Sequence, residues 1–170
     1  ECPDYGEFKD KEWPDAEKGF AQLVWFLDQE VGRVMDLLQK HHLAENTLVL
    51  FSSDNGPHQE GGHQSDFFKA MEFKGIKRDL TDGGIRVPFI AWWPGKIKAG
   101  AVSDHVSGFQ DLLPTVADLS GSDLTNETDG ISLKPTLLGE MGQKQHSHLC
   151  WYFGEKGGIN AALKWPRSEE

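Results

Sequence analysis

From Phe20 the apolar residues Leu23, Val24, Leu27, Val31, Val34 and Leu38 recur at steps of three and four, with charged and polar residues between them. That period places them on one face of a helix running to about Lys40, opposite a charged face. The polar, proline-containing opening, Glu1 to Lys18, reads as loop, and "HHLAENT" after the helix reads as a turn. Thr47 to Phe51 is short, β-branched and apolar without alternation, the pattern of a central strand whose two faces are covered by helices. "VPFIAWW", Val87 to Trp93, is a second such run, closed by the turn signal "PGK", while Gly61 to Phe73 shows no period. "SGFQDLLPTVADLSG" predicts another helix, with Asp111 as N-cap, Pro114 in the first turn where its missing donor costs little, and Gly121 as its end. "TDGISLKPTLLG" predicts a turn, a short segment and a helical stub, and "HLCWYFGEKGGINAALKW" two strands joined by a glycine-containing turn. A helix–strand–loop–strand order of this kind indicates an α/β fold.

Composition narrows the function classes. The chain has 170 residues, 38% hydrophobic and 11% aromatic, enough for one ordinary globular core. Seventeen basic against 27 acidic residues give a formal charge of -10, and no basic patch offsets it, so neither nucleic acid nor an anionic membrane is an expected partner. No stretch is long and apolar enough to span a bilayer, and no basic start followed by an apolar run resembles a signal peptide. Cys2 and Cys150 lack metal-type spacing and could pair or stay free.

Candidate chemistry begins at "LVLFSSDNGPHQEGGH", where an apolar strand ends on an acid, an amide and a glycine. In open α/β sheets ligands gather beyond the carboxyl ends of strands, and Gly56-Pro57 turns the chain so that the neighbouring side chains of Asp54 and Asn55 can reach one ion. A carboxylate beside an amide carbonyl offers hard oxygen donors of the kind calcium and magnesium take. Asp-Asn-Gly is also an everyday turn. His58 and His63 flank Glu60, a set that could bind zinc or move protons, although two histidines do not complete a zinc site and solvated loop histidines are the bland reading. The remaining histidines, His41, His42, His105, His146 and His148, form no constellation in the sequence. Lys74, Lys77 and Arg78 precede a paired-glycine turn, where a lysine near a divalent cation suits a tetrahedral oxyanion such as sulfate or phosphate, or is simply a solvated basic turn.

Taken together, "LVLFSSDNGPH", "GIKRDLTDGGIRVPFIAWWPGKI", "SDHVSGFQDLLPT", "TDGISLKPTLLG" and the closing "EKGG" resemble, in order and spacing, the formylglycine-dependent, arylsulfatase-like sulfatases of the alkaline phosphatase superfamily. The resemblance covers most of the chain from Phe20 onward and is most specific at Asp54 to His58 and Lys77 to Pro88. It implies an α/β/α sandwich, with residues 1–145 the later part of the catalytic domain and residues 146–170 the start of a small C-terminal antiparallel sheet. It also implies that Asp54 and Asn55 are ligands of one calcium ion. Lys77 matches the catalytic lysine that contacts the sulfate group and the ester oxygen, and His58 is a substrate-side residue. The pattern carries no firm role for Arg78. Thr81 and Asp82 depart from it, since an aromatic and a glutamate usually precede the paired glycines.

The same resemblance implies a formylglycine made from a C-x-P-x-R or S-x-P-x-R segment, and the chain holds neither. That segment, two further acidic ligands and a catalytic histidine are expected upstream, so the 170 residues read as an incomplete part of a catalytic domain, inactive alone. The implied substrate is a sulfate ester, in particular a sulfated carbohydrate, and the implied setting is periplasmic or secreted. Two alternatives stand beside it. One is a phosphomonoesterase or phosphodiesterase of the same superfamily. The other is a non-catalytic carbohydrate-binding or scaffold fragment, in which Trp92, Trp93, Trp151 and Trp165 would stack on sugars instead of packing in core and turns.

Overall fold

Pro14, with φ -54 and ψ 146, sets the chain into the first helix, α1, which runs Asp15–Lys40. The structure, a computed structural model, describes residues 4–64, 67 and 73–154, and the backbone of 159–164. The helix begins at Asp15, not near Phe20. Its first turn carries Asp15 and Glu17, which suit the positive end of the helix dipole. That turn escapes the apolar period because Glu17 packs against a polar partner. The residues α1 buries are Glu17 and Gln22, whereas Leu23, Val24, Leu27 and Val34 of the apolar stripe stay 50 to 54% exposed.

The chain divides into two compact units, residues 1–47 with 51–89, and residues 48–50 with 90–170. The strands are shorter than the apolar runs that predict them: β1 is Val49–Ser52 and β2 is Phe89–Trp92, and the two pair. The Ser52 hydroxyl donates to the Pro88 carbonyl at 2.9 Å, fastening the ends of the pair. Among the described residues the expected cover on both faces is not found, with Phe89 40% and Ile90 57% exposed. Among the described residues this sheet has only these two strands, so its apolar side chains lack the layers their pattern anticipates. In the first unit a one-turn helix, α2 (Asp82–Ile85), precedes β2.

In the second unit α3 (Leu112–Ser120) ends at Gly121, whose φ of 69 is the left-handed C-cap that glycine favours. Asp111 does not cap α3 forwards. Its fully buried carboxylate instead accepts from the Gly108 N–H at 2.9 Å, the Ile131 N–H at 2.7 Å and His146 Nε2 at 2.8 Å. Thr115, also fully buried, donates to the Asp111 carbonyl and accepts from the Leu133 N–H at 2.8 Å. These bonds join α3 to the segment before α4 (Lys134–Leu138). A hairpin of β3 (His148–Phe153) and β4 (Ile159–Lys164) follows, antiparallel, with Cys150 opposite Ala162. Cys150 is an exposed free thiol. Cys2, the "EKGG" turn and Trp165 lie outside the described residues.

Candidate active site

The tip of β1 and the paired-glycine turn are built as one piece. The Gly56 N–H donates to the Gly84 carbonyl at 3.0 Å, and a Cβ on Gly56 would stand 1.8 Å from the Gly83 oxygen, so only glycine permits the approach. One residue on, the Pro57 carbonyl accepts from the Lys77 N–H at 2.7 Å. The glycine lets the tip nest against a second turn, and that turn carries Lys77.

At the tip Asp54 is exposed and Asn55 half-buried. The Asn55 amide nitrogen donates to the Gly56 carbonyl at 3.0 Å, which leaves the amide oxygen as the atom able to face an ion beside the Asp54 carboxylate. In chemical type, a carboxylate and an amide oxygen are donors that a divalent cation takes as part of a shell. Among the described residues no group of three or more His, Cys, Asp or Glu is arranged to hold a metal. The zinc reading of His58, Glu60 and His63 gains nothing from the geometry.

Thr81 and Asp82 both take part in bracing the turn. The Thr81 hydroxyl donates to the Lys74 carbonyl at 2.6 Å, the Gly83 N–H donates to the same oxygen at 2.8 Å, and Asp79 accepts from the Ile76 N–H at 3.0 Å. Asp82 accepts from Arg86 Nη1 at 3.4 Å. Arg78 sits at φ 76, a left-handed conformation that disfavours a residue with a side chain.

Lys77 and Arg78 share one carboxylate. Glu60 Oε2 lies 3.3 Å from Lys77 Nζ and Oε1 lies 3.0 Å from Arg78 Nη1. The Lys77 hydrogen bond, then its charge, then Arg78 hold the Glu60 carboxyl below its ordinary 4.5. The Glu60 N–H in turn donates to His58 Nδ1 at 2.9 Å, while the carboxylate is 4.0 Å from that nitrogen, beyond hydrogen-bond reach. Neutral His58 thus carries its proton on Nε2, available to a ligand.

His63 is no solvated loop residue. It is 5% exposed, its Nδ1 lies 2.5 Å from Oε2 of the buried Glu17, and its ring stacks on Phe20 at 3.8 Å. The other Glu17 oxygen accepts from the Gln64 N–H at 2.7 Å. The loop that starts at Asp54 is therefore pinned to α1 at its far end. His105 and His146, which the sequence leaves without partners, both belong with Asp111. Burial is the leading cause that pushes His105 below the ordinary 6.5, with the Asp111 charge opposing and the His146 charge adding.

A family model described as Sulfatase matches residues 4–122. The chain belongs to the sulfatase family. It is similar to human N-acetylgalactosamine-6-sulfatase, 35% identical over 143 residues that make up 80% of this chain and 26% of that protein. Among solved structures it is similar to Ps i-CgsB in complex with k-i-k-neocarrahexaose, with a TM-score of 0.79 and 26% identity over 92% of this chain and 34% of that one. It is also similar to the phosphonate monoester hydrolase SpPMH from Silicibacter pomeroyi, with a TM-score of 0.63 and 26% identity over 86% of this chain and 28% of that one. This sulfatase chain thus spans about a quarter of the length of the curated relative, 26%. The neighbours bear out the alkaline phosphatase-like α/β fold, and membership of the family implies a formylglycine and a divalent metal.

Proposed function

We propose that the full-length protein carrying this chain hydrolyses sulfate esters, and that its substrate is a sulfated carbohydrate. The observation that carries the reading is the stitching of the Lys77 turn onto the Asp54-Asn55 tip, through the Gly56-to-Gly84 and Lys77-to-Pro57 hydrogen bonds. An oxygen-donor pair and a cationic turn are thereby delivered to one loop cluster. Asp54 and Asn55 would hold one calcium ion, which when bound supplies charge stabilisation to the sulfate oxygens. Lys77 neutralises charge that develops on the ester oxygen, and His58 presents Nε2–H to the substrate. The carbohydrate assignment is supported by the N-acetylgalactosamine-6-sulfatase relative and by the neighbour bound to k-i-k-neocarrahexaose. A periplasmic or secreted setting is proposed with it, as is the division of the chain into residues 1–145, catalytic domain, and 146–170, the start of a C-terminal sheet.

The nucleophile's segment is not in this sequence, so the 170 residues alone are proposed to be inactive. Assays on an aryl sulfate and on sulfated sugars test both statements: turnover is expected from the full-length protein and none from the 170-residue chain. Turnover by the 170 residues themselves would contradict the proposal. The SpPMH neighbour favours a second reading, a phosphoester or phosphonoester hydrolase. Metal analysis and parallel assays on aryl phosphate and phosphonate esters separate the two.

A further inference from the structure

The Lys77 cation, which a sulfate group would approach, and its neighbour Arg78 are bridged by an anion of the chain's own, with one Glu60 oxygen on each. The bridge lies at the surface, its side chains 29 to 51% exposed, but it is braced. Glu60 is held from its backbone side by His58, through the 2.9 Å bond to Nδ1, and Arg78 meets it from a left-handed backbone at φ 76. Backbone strain of that kind persists where the surroundings over-determine it, which is common at ligand sites. A carboxylate placed between the two cations lowers the positive charge they present to an incoming anion. A sulfate monoester carries one negative charge, whereas a phosphate monoester approaches two above its second pKa of about 6.

From this juxtaposition we infer that Glu60 sets the charge of the anion pocket and selects singly charged esters over doubly charged oxyanions. The inference rests on the sulfate-ester reading of the same site and deepens it. Glu60 is a specificity residue here, not a catalytic one. Its carboxylate repels the second negative charge of a dianion while leaving Lys77 and Arg78 enough positive charge for a monoanion. Glu60→Gln keeps the side-chain length and the backbone bond to His58, removes the charge, and turns one of the two acceptor oxygens into an amide donor.

The test uses two anions of one chemistry, methyl sulfate with one charge and inorganic sulfate with two. Their binding to the full-length protein and to its E60Q and E60D variants is measured by calorimetry or by competition against an aryl sulfate. E60Q should shift the affinity ratio towards inorganic sulfate by about tenfold, the scale of one unit charge removed at close range in a partly solvated site. E60D, which keeps the charge, should retain the parent ratio. A purely structural role for Glu60 would weaken both anions together and leave the ratio unmoved. An unchanged ratio in E60Q, or no binding of either anion to the parent protein, overturns the inference. Aryl sulfate turnover in the same preparations is read separately. Turnover with an unchanged ratio removes this inference and keeps the sulfatase reading, and a shifted ratio without turnover does the reverse.

Discussion

At the scale of single residues, Gly56 and Asp111 are the positions where chemistry leaves least freedom. Gly56→Ala would press a methyl group into the Gly83 oxygen at 1.8 Å, and relief requires the two turns to part. We expect a loss of about 2–4 kcal/mol by chemical denaturation, together with lost activity of the full-length protein. A neutral result would mean the tip and the paired-glycine turn are not packed as described. His105 gives a pH prediction. Its folded pKa lies below the ordinary 6.5, so the unfolded chain takes up the proton first as pH falls. The stability tied to this group is present above pH 6.5 and is lost as pH drops through the folded value. Denaturation midpoints between pH 5 and 7.5 should therefore fall on acidification, and His105→Gln should flatten that slope. Asp54, Asn55 and Lys77 stand out in the sequence through their turns and through the family resemblance, which is what proposes their roles. The sequence does not show the partners of Glu60, Glu17 and Asp111 that stand 17, 46 and 35 residues away. No local pattern encodes pairings at that separation.

At the scale of elements, the three- and four-residue period identified α1 correctly but located only its apolar part. The first turn was missed because its inward residue is a glutamate serving His63, and polar burial leaves no apolar trace. That contact is testable. Glu17→Ala leaves a buried histidine without its carboxylate and should cost about 3 kcal/mol. A Glu17→Gln, His63→Asn double-mutant cycle should show a coupling of about 1–3 kcal/mol, and additive losses would show that the pair is not coupled. The stripe itself makes the opposite prediction. Leu27 is 52% exposed in this structure, so Leu27→Ala in the 170-residue chain should cost under about 1.5 kcal/mol, below the 2–5 of a buried leucine. A cost near 4 would place the stripe in a core. The strand runs were legible from their β-branched, unbroken apolar character, as was the closing hairpin. The cover expected over β1 and β2 was not found, because a pattern states which side chains want burial and not whether this stretch of chain supplies it.

At the scale of the whole molecule, the family is shown by the match over residues 4–122, while the chain spans 26% of the human relative's length, and sulfate-ester hydrolysis is what we propose for the full-length protein. What this chain holds is one loop cluster: Asp54 and Asn55 at a strand tip, the Lys77 turn fastened to it, and the Glu60 carboxylate bridging Lys77 and Arg78. The most direct measurement of that claim is kcat/KM for an aryl sulfate with the full-length protein and with Lys77→Ala, after circular dichroism has shown the variant folded. The account predicts a fall of about a hundredfold or more, the scale of one lost donor to developing charge. A folded Lys77→Ala protein with the rate of its parent would contradict it.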